Sequence, residues 1–261
     1  IAYRVLGLQG EVITTPFTFA ATSSSLVWEG LKPVYADICP ESFNILPVNI
    51  ERAITDETTA IVPVHVFGKA CNVDDISELA NRYNLRVVYD AAHAFDVADN
   101  GNSVLNFGDI STLSFHATKL FHTIEGGALI INDDRLYEKA KSMISFGMGA
   151  GGSLSTVGIN AKMSEFQAAM GLCNLDDMAT IKSSRQILVE QYQELLQGVV
   201  QFQGSQTEFN DNYAYMPIVF RSSDERCSVE QLLQSEGITP RRYFSPSLDE
   251  VYAGDKEMCI S

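Results

Sequence analysis

Two short stretches carry residue types that could act on one molecule. The first is Ser114-Phe115-His116-Ala117-Thr118-Lys119, with Glu125-Gly126-Gly127 close behind it. A β-rich run enters a polar turn there, and a lysine follows five residues after a serine. A lysine just past a strand end can project into a cleft at the sheet edge, although on spacing alone a solvated surface lysine is the commoner outcome. The second is Val87-Val88-Tyr89-Asp90-Ala91-Ala92-His93-Ala94. Its Asp ends an apolar run, and open α/β sheets bind ligands at the carboxyl ends of their strands. Alone, the same Asp is as readily a helix cap and the His a satisfied core residue.

Together the stretches say more. A lysine amine forms Schiff bases with aldehydes, and a buried carboxylate can stabilise a protonated pyridine nitrogen. Lys119 and Asp90 are therefore the pair that pyridoxal phosphate (PLP) chemistry requires, the amine at the aldehyde and the carboxylate at the far end of the ring.

Those residues need a frame. Strand candidates are Glu11–Thr14, 33–37, 59–64, Arg86–Asp90, 111–115 and 128–131. Helical patterns lie between them. One runs from Ala20 to about Glu29 before Gly30, and another from Pro47 to Ile54 with proline in a tolerated first-turn position. The run Val73–Tyr83 places Val73, Ile76, Leu79, Ala80 and Tyr83 on one face. Strands alternating with helices predict an α/β domain with a mostly parallel sheet. From Met163 a long helix runs to about Leu196, followed by a strand over 213–220 and a helix over 228–236 with Ser228 as its cap. This pattern divides the chain into a large domain, 1–182, and a smaller α+β C-terminal domain, 183–261.

The 261 residues are 46% hydrophobic and 20% charged, enough for a packed core. Against 33 acidic residues stand 18 Lys and Arg, a net charge of −15. That balance argues against nucleic-acid or anionic-membrane partners held by bulk electrostatics. No apolar run approaches the roughly 20 residues that span a bilayer. The five Cys are scattered with no CxxC pair, so neither a metal site nor a disulfide framework is indicated, and a cytoplasmic setting is expected. Gly147-Met148-Gly149-Ala150-Gly151-Gly152 lacks the Lys-Ser/Thr of a P-loop and reads as a flexible loop.

The chain resembles the DegT/DnrJ/EryC1/StrS sugar aminotransferases, PLP enzymes of the aspartate-aminotransferase fold (fold type I). The likeness rests on Gly10-Glu11-Val12-Ile13, Thr15-Pro16-Phe17-Thr18-Phe19, Pro33-Val34-Tyr35-Ala36-Asp37-Ile38 and Ile61-Val62-Pro63-Val64-His65-Val66-Phe67-Gly68. Asp90-Ala91-Ala92-His93-Ala94, the Ser114–Lys119 and Glu125–Gly127 stretches, and Asn160-Ala161-Lys162-Met163-Ser164-Glu165-Phe166-Gln167 complete it.

The resemblance implies roles residue by residue. Lys119 matches the Schiff-base lysine, which also shuttles the proton, and Asp90 the partner of the pyridine nitrogen. His93 matches the residue beside the phenolic oxygen, and Phe19 the aromatic on the ring face. Ser114 matches a phosphate ligand. Asn160 matches an Asn that reaches the phosphate of the neighbouring subunit's cofactor, which implies a homodimer with shared active sites. The implied reaction is ping-pong transfer of an amino group from L-glutamate to a nucleotide-linked, dTDP-type keto-6-deoxyhexose, on routes to O-antigen or S-layer glycans. A sugar dehydratase of the same scaffold would carry His in place of Lys119; a non-catalytic paralogue that binds sugar nucleotide is the other alternative. The family's Ser-Gly-Thr-like phosphate cradle lies upstream of Ile1, and both ends of the natural protein are expected to extend beyond this sequence. Arg241, Arg242 and Tyr243 are candidates for a substrate contact or a dimer surface, with solvated charge expected for at least one arginine.

Overall fold

A computed structural model describes residues 1–205 and 209–252. The last nine residues of the expected small domain lie outside that range. The first half of the chain builds a six-stranded sheet in the order β2-β1-β3-β4-β7-β8. Its strands are β1 (Glu11–Thr14), β2 (Lys32–Tyr35), β3 (Thr58–Val62), β4 (Arg86–Asp90), β7 (Ile110–Ser114) and β8 (Gly127–Ile130). A hairpin of β5 (Ala98–Asp99) and β6 (Asn102–Ser103) lies between β4 and β7. Neighbours run parallel except the β7–β8 pair.

The sheet is covered on both faces because consecutive side chains of its central strands point to opposite sides and are apolar on each. Ile13, Ile61, Val87 and Tyr89 pack with Ile50 of α3 (Pro47–Ala53) and with Ile76 and Leu79 of α4 (Val73–Tyr83). Their neighbours Val12, Ala60, Val62 and Val88 pack on the other face. There they meet Val5 of α1 (Ala2–Leu6), Leu26 of α2 (Ala20–Trp28), and Ala140 and Met143 of α5 (Asp134–Met143). The α5 helix, which the sequence patterns did not single out, starts where the Asp133 carboxylate accepts the N–H groups of Arg135 and Leu136.

A 32-residue helix, α6 (Glu165–Leu196), opens with a capping box between Ser164 and Gln167. Residue 183, the expected domain boundary, falls inside it. Beyond it come β9 (Gln201–Phe202), β10 (Phe209–Asn210), β11 (Ile218–Val219), α7 (Ser223–Ser235) and α8 (Leu248–Tyr252). Of the strand expected over 213–220, only Ile218–Val219 forms, paired with β9. Upstream the backbone is held by side chains instead: the Ala214 N–H donates to Asn212 Oδ1, and Arg185 donates to the Ala214 carbonyl. The cap expected at Ser228 is also displaced. Ser222 Oγ accepts the Glu225 N–H and starts α7 earlier, and Ser228 Oγ donates back to the Asp224 carbonyl inside the helix. The glycine-rich loop is folded rather than open. A Cβ on Gly147 would stand 1.8 Å from the Thr156 carbonyl oxygen, so only glycine lets those strands of loop meet. Among the described residues no helix is long and apolar enough to cross a membrane.

His65 follows β3 and is fully buried, its ring parallel to that of Tyr89 at 4.8 Å. Nδ1 accepts the Cys71 N–H, so the proton sits on Nε2, which has no partner among the described residues. Burial holds its pKa at about 3. Unfolded, the imidazole titrates near 6.5 (about). Between those values the unfolded chain binds more protons, so stability is full above about pH 6.5 and falls as pH drops, by up to about 1.4 kcal/mol per unit. The thermal midpoint should therefore decline from pH 6.5 towards 4.5, less steeply in His65→Gln. A wild-type midpoint flat across that range would refute the assignment.

Candidate active site

Asp90 closes β4, held on one side by the β7 pairing of Asp90 with Thr112 and on the other by the Asp90 N–H donating to the Pro63 carbonyl. Its carboxylate is half-buried and accepts two hydrogen bonds. The Ala92 N–H donates to Oδ1 at 3.1 Å, and the Thr22 hydroxyl to Oδ2 at 2.7 Å. Ser114 ends the adjacent strand. Asp90, Ala92, Thr22, Thr112 and Ser114 line one cavity of about 520 Å³.

Lys119 sits in the connection from β7 to β8. That connection is tight: the Lys119 N–H donates to the His116 carbonyl, the Phe115 N–H to Gly126, and the Thr123 N–H to Phe115. The Glu-Gly-Gly sequence permits it, because a Cβ on Gly126 would lie 2.3 Å from Thr123 Oγ1 and one on Gly127 2.7 Å from the Leu113 carbonyl oxygen. Glu125 itself is exposed, near His116 at 3.6 Å. Burial lowers the Lys119 pKa, Asp90 opposes that shift, and the charge of Arg241 adds to it. These three groups share one electrostatic neighbourhood.

His93 is buried three residues after Asp90. Its Nδ1 accepts the N–H of Phe67, a residue with φ of 55°. The left-handed turn aims that N–H at the ring and leaves the proton on Nε2. Burial, with the Lys119 charge, holds the His93 pKa at about 3, so the imidazole is neutral. Tyr215 tilts against it at 4.4 Å. Behind it Asn212, fully buried, donates to the carbonyls of His93 and Phe95. A Cβ on Gly68 would reach both Asn212 Oδ1 and the His93 oxygen at 2.9 Å, which explains the glycine there. Ion pairs Lys69–Asp211 and Lys182–Asp96 fasten the same segment.

The structure thus gathers Asp90, His93 and Lys119, with Ser114 on the Asp90 cavity. Phe19 stands at the N-cap of α2, 55% exposed. Asn160 is exposed, bridged to Ser145, with Oδ1 accepting from Lys162. The two arginines separate. Arg242 is tied to Glu230 by a two-pronged pair, whereas Arg241 lies over the Tyr243 ring at 5.1 Å. Tyr243 meets Tyr215 edge-on at 6.1 Å, so a chain of rings joins Arg241 to His93. Thr22, Asn212, Tyr215 and Arg185 escaped the sequence reading. They are ordinary residues of a helix, a loop or a long helix face, and no local spacing marks them.

The donor set suits a phosphorylated pyridine aldehyde: an amine of lowered pKa, an anchored carboxylate, a neutral imidazole, and a hydroxyl on a cavity at the strand ends. Comparison with known proteins identifies the family. The model of the DegT/DnrJ/EryC1/StrS aminotransferase family matches residues 1–258. The chain is 43% identical over 265 residues to a dTDP-4-amino-4,6-dideoxy-D-glucose transaminase of Shigella dysenteriae, covering 99% of this chain and 72% of that one. It is 38% identical to a protein of the same name from Escherichia coli, over 96% of this chain and 69% of the other. Among solved structures, DesI determined with its TDP-sugar product superposes with a TM-score of 0.90 at 35% identity, over 97% of this chain and 66% of DesI. A Brucella abortus aminotransferase superposes at 0.89 and 27% identity, over 95% and 69%. With residues 1–258 matched by the family model and the fold superposing on these enzymes, the chain belongs to the DegT/DnrJ/EryC1/StrS aminotransferase family.

Proposed function

We infer that this protein transfers an amino group from L-glutamate to a dTDP-linked keto-6-deoxyhexose, by a ping-pong reaction that uses PLP. The observation that carries the reading is the Asp90 carboxylate at the end of β4, anchored by Thr22 and Ala92, with Lys119 in the tight turn after the adjacent strand; burial lowers the Lys119 pKa in support. The named relatives support the sugar class. PLP, when bound, supplies an electrophilic carbonyl and a ring that accepts electrons from a breaking C–H bond.

The chain's own residues do the rest. Lys119, its pKa lowered, is a better nucleophile near neutral pH than an exposed lysine and carries the proton to and from the substrate carbon. Asp90 would keep the ring nitrogen positive. His93 would donate from Nε2 to the phenolic oxygen without adding charge. Phe19 would cover one ring face. Ser114 would hold the phosphate, joined by Asn160 of a second copy. A homodimer is supported by the exposed apolar residues flanking Asn160, among them Leu154, Val157, Ile159 and Phe166. We assign residues 1–182 to the cofactor domain and 183–261 to the smaller one. A dehydratase is disfavoured because position 119 is lysine.

Arg241 has no ion pair among the described residues and lies beside the site. Its guanidinium is placed to receive a substrate anion. Arg241→Gln should raise KM for the amino donor or the sugar nucleotide about tenfold, the loss of one charge-assisted hydrogen bond, and leave the thermal midpoint unchanged. Unaltered KM values for both substrates would remove Arg241 from the site.

The decisive experiment adds PLP to the protein and follows its visible absorbance. Glutamate should bleach that band, and mass spectrometry with dTDP- and UDP-keto-sugars should then identify the aminated product. A non-catalytic paralogue would show no bleaching.

A further inference from the structure

The group that fixes Asp90 comes from far along the chain. Thr22 lies in the first turn of α2, 68 residues from Asp90, and donates its hydroxyl to Oδ2 at 2.7 Å. Its own oxygen is 3.0 Å from Thr18 Oγ1, and both threonines are only 3% exposed. An ionised carboxylate accepts and cannot donate. Thr22 has one hydroxyl proton, so once it is given to Asp90 the contact with Thr18 must run the other way. The proton order is therefore fixed: Thr18 to Thr22, and Thr22 to Asp90. With the Ala92 N–H on Oδ1, each carboxylate oxygen is tied by one donor and keeps a lone pair for a third partner. Rotation about the Cβ–Cγ bond would break both ties. Phe19 belongs to the same turn, between Thr18 and Thr22.

We propose that Thr22 is a positioning residue of this site: its hydroxyl, backed by Thr18, sets the plane in which Asp90 meets the ring N–H of the cofactor. The proposal rests on the reading of Asp90 and Lys119 as the cofactor pair. A carboxylate left to rotate would still carry its charge, but its lone pair would spend less time on the ring axis. Charge-assisted hydrogen bonds weaken steeply when misaligned.

Two variants separate the hydroxyl from the space it fills. Thr22→Val keeps the shape and removes the donor, whereas Thr22→Ser keeps the donor and removes a methyl. In T22V the dissociation constant for PLP, titrated into the apoprotein, should rise about tenfold. The pH titration of the visible band should shift by about half a unit or more, and kcat should fall with KM for glutamate unchanged. T22S should stay within about threefold of wild type in each. Equal losses in T22S and T22V, or a T22V protein with wild-type affinity and pH titration, would overturn the proposal.

A cofactor-free arm keeps the two readings apart. Thermal midpoints of the apoprotein are compared for T22V, D90N and the double variant. Non-additive shifts are expected, because the two side chains share one bond. Additive shifts would show that the hydroxyl does not hold the carboxylate, whatever binds there. A wild-type protein that gains no visible band from PLP while the cycle stays non-additive would instead refute the cofactor reading, and the assigned role of Thr22 with it.

Discussion

Lys119→Ala should abolish transamination while leaving the fold intact. On the proposed assignment, the substitution removes two functions at once: the amine that would capture the cofactor, and the base that would move the proton at the substrate carbon. The second alone is worth about 10²–10⁴-fold for a well-placed side chain. Stability should respond little. Burial disfavours the charged form of Lys119 and nothing in the connecting turn depends on its side chain, since the turn is held by backbone bonds of 115, 119 and 123 and by two glycines. The apoprotein's thermal midpoint should therefore match wild type, while the gain in midpoint on adding PLP should shrink. Added methylamine offers a check that a structural role would not pass. A small amine that enters the vacated space should restore part of the proton transfer, with a rate that rises with amine concentration and pH. A variant that turns over at the normal rate would end the assignment.

Which parts of this site were legible in the sequence follows from how local their causes are. The α4 helix, residues Val73–Tyr83, shows its limits because an apolar face recurs at helical spacing and Asn72 caps it by accepting the Asp75 N–H. The β4 strand, Arg86–Asp90, shows because an unbroken apolar run ends on a charge. Asp90 stood out for the same reason, as it ends that strand, whereas Lys119 lies five residues beyond the end of β7 and stood out only as the chemical partner of Asp90. The stretch 213–220 misled because its β-formers serve another purpose. Tyr215 is spent against His93, Pro217 has no N–H to give a ladder, and Asn212 and Arg185 take the backbone groups a partner strand would have used.

The residues that tune the site were not legible because their action is non-local. Thr22 meets Asp90 across 68 positions, and Asn212 meets His93 across 119. Arg241 and Arg242 are neighbours of one residue type, and only the fold tells them apart: Glu230 claims the second and an aromatic shelf carries the first. His93 illustrates the limit from the other direction. Its identity was readable, but its tautomer depends on the left-handed turn at Phe67.

Asp90→Asn should cost the reaction about 3 kcal/mol, the low end of what loss of one charged partner costs, because this carboxylate is only half-buried. That corresponds to a fall in kcat of about 10²-fold, at about 1.36 kcal/mol per tenfold. The amide is nearly isosteric, so the effect comes from charge and from donor count. With PLP bound as proposed, the variant would leave the ring nitrogen without an anion to hold its proton, and the ring would accept electrons less readily. The field at Lys119 also changes. Asp90 raises the lysine pKa against burial and Arg241, so its loss should lower that pKa further. The acidic limb of the pH–rate profile should then move to lower pH, a shift that a misfolded variant would not give. Stability provides the third reading. Ala92 N–H and the Thr22 hydroxyl both donate to Asp90, whereas asparagine offers one oxygen and one NH₂. One of the two donors is left facing an NH₂ group, at a cost of about 1–3 kcal/mol if it finds no other acceptor, and the apoprotein should melt at a lower temperature. A rate, pH profile and midpoint all at wild-type values would remove Asp90 from the chemistry. A lower midpoint with an unchanged rate would leave it a structural carboxylate at the end of β4.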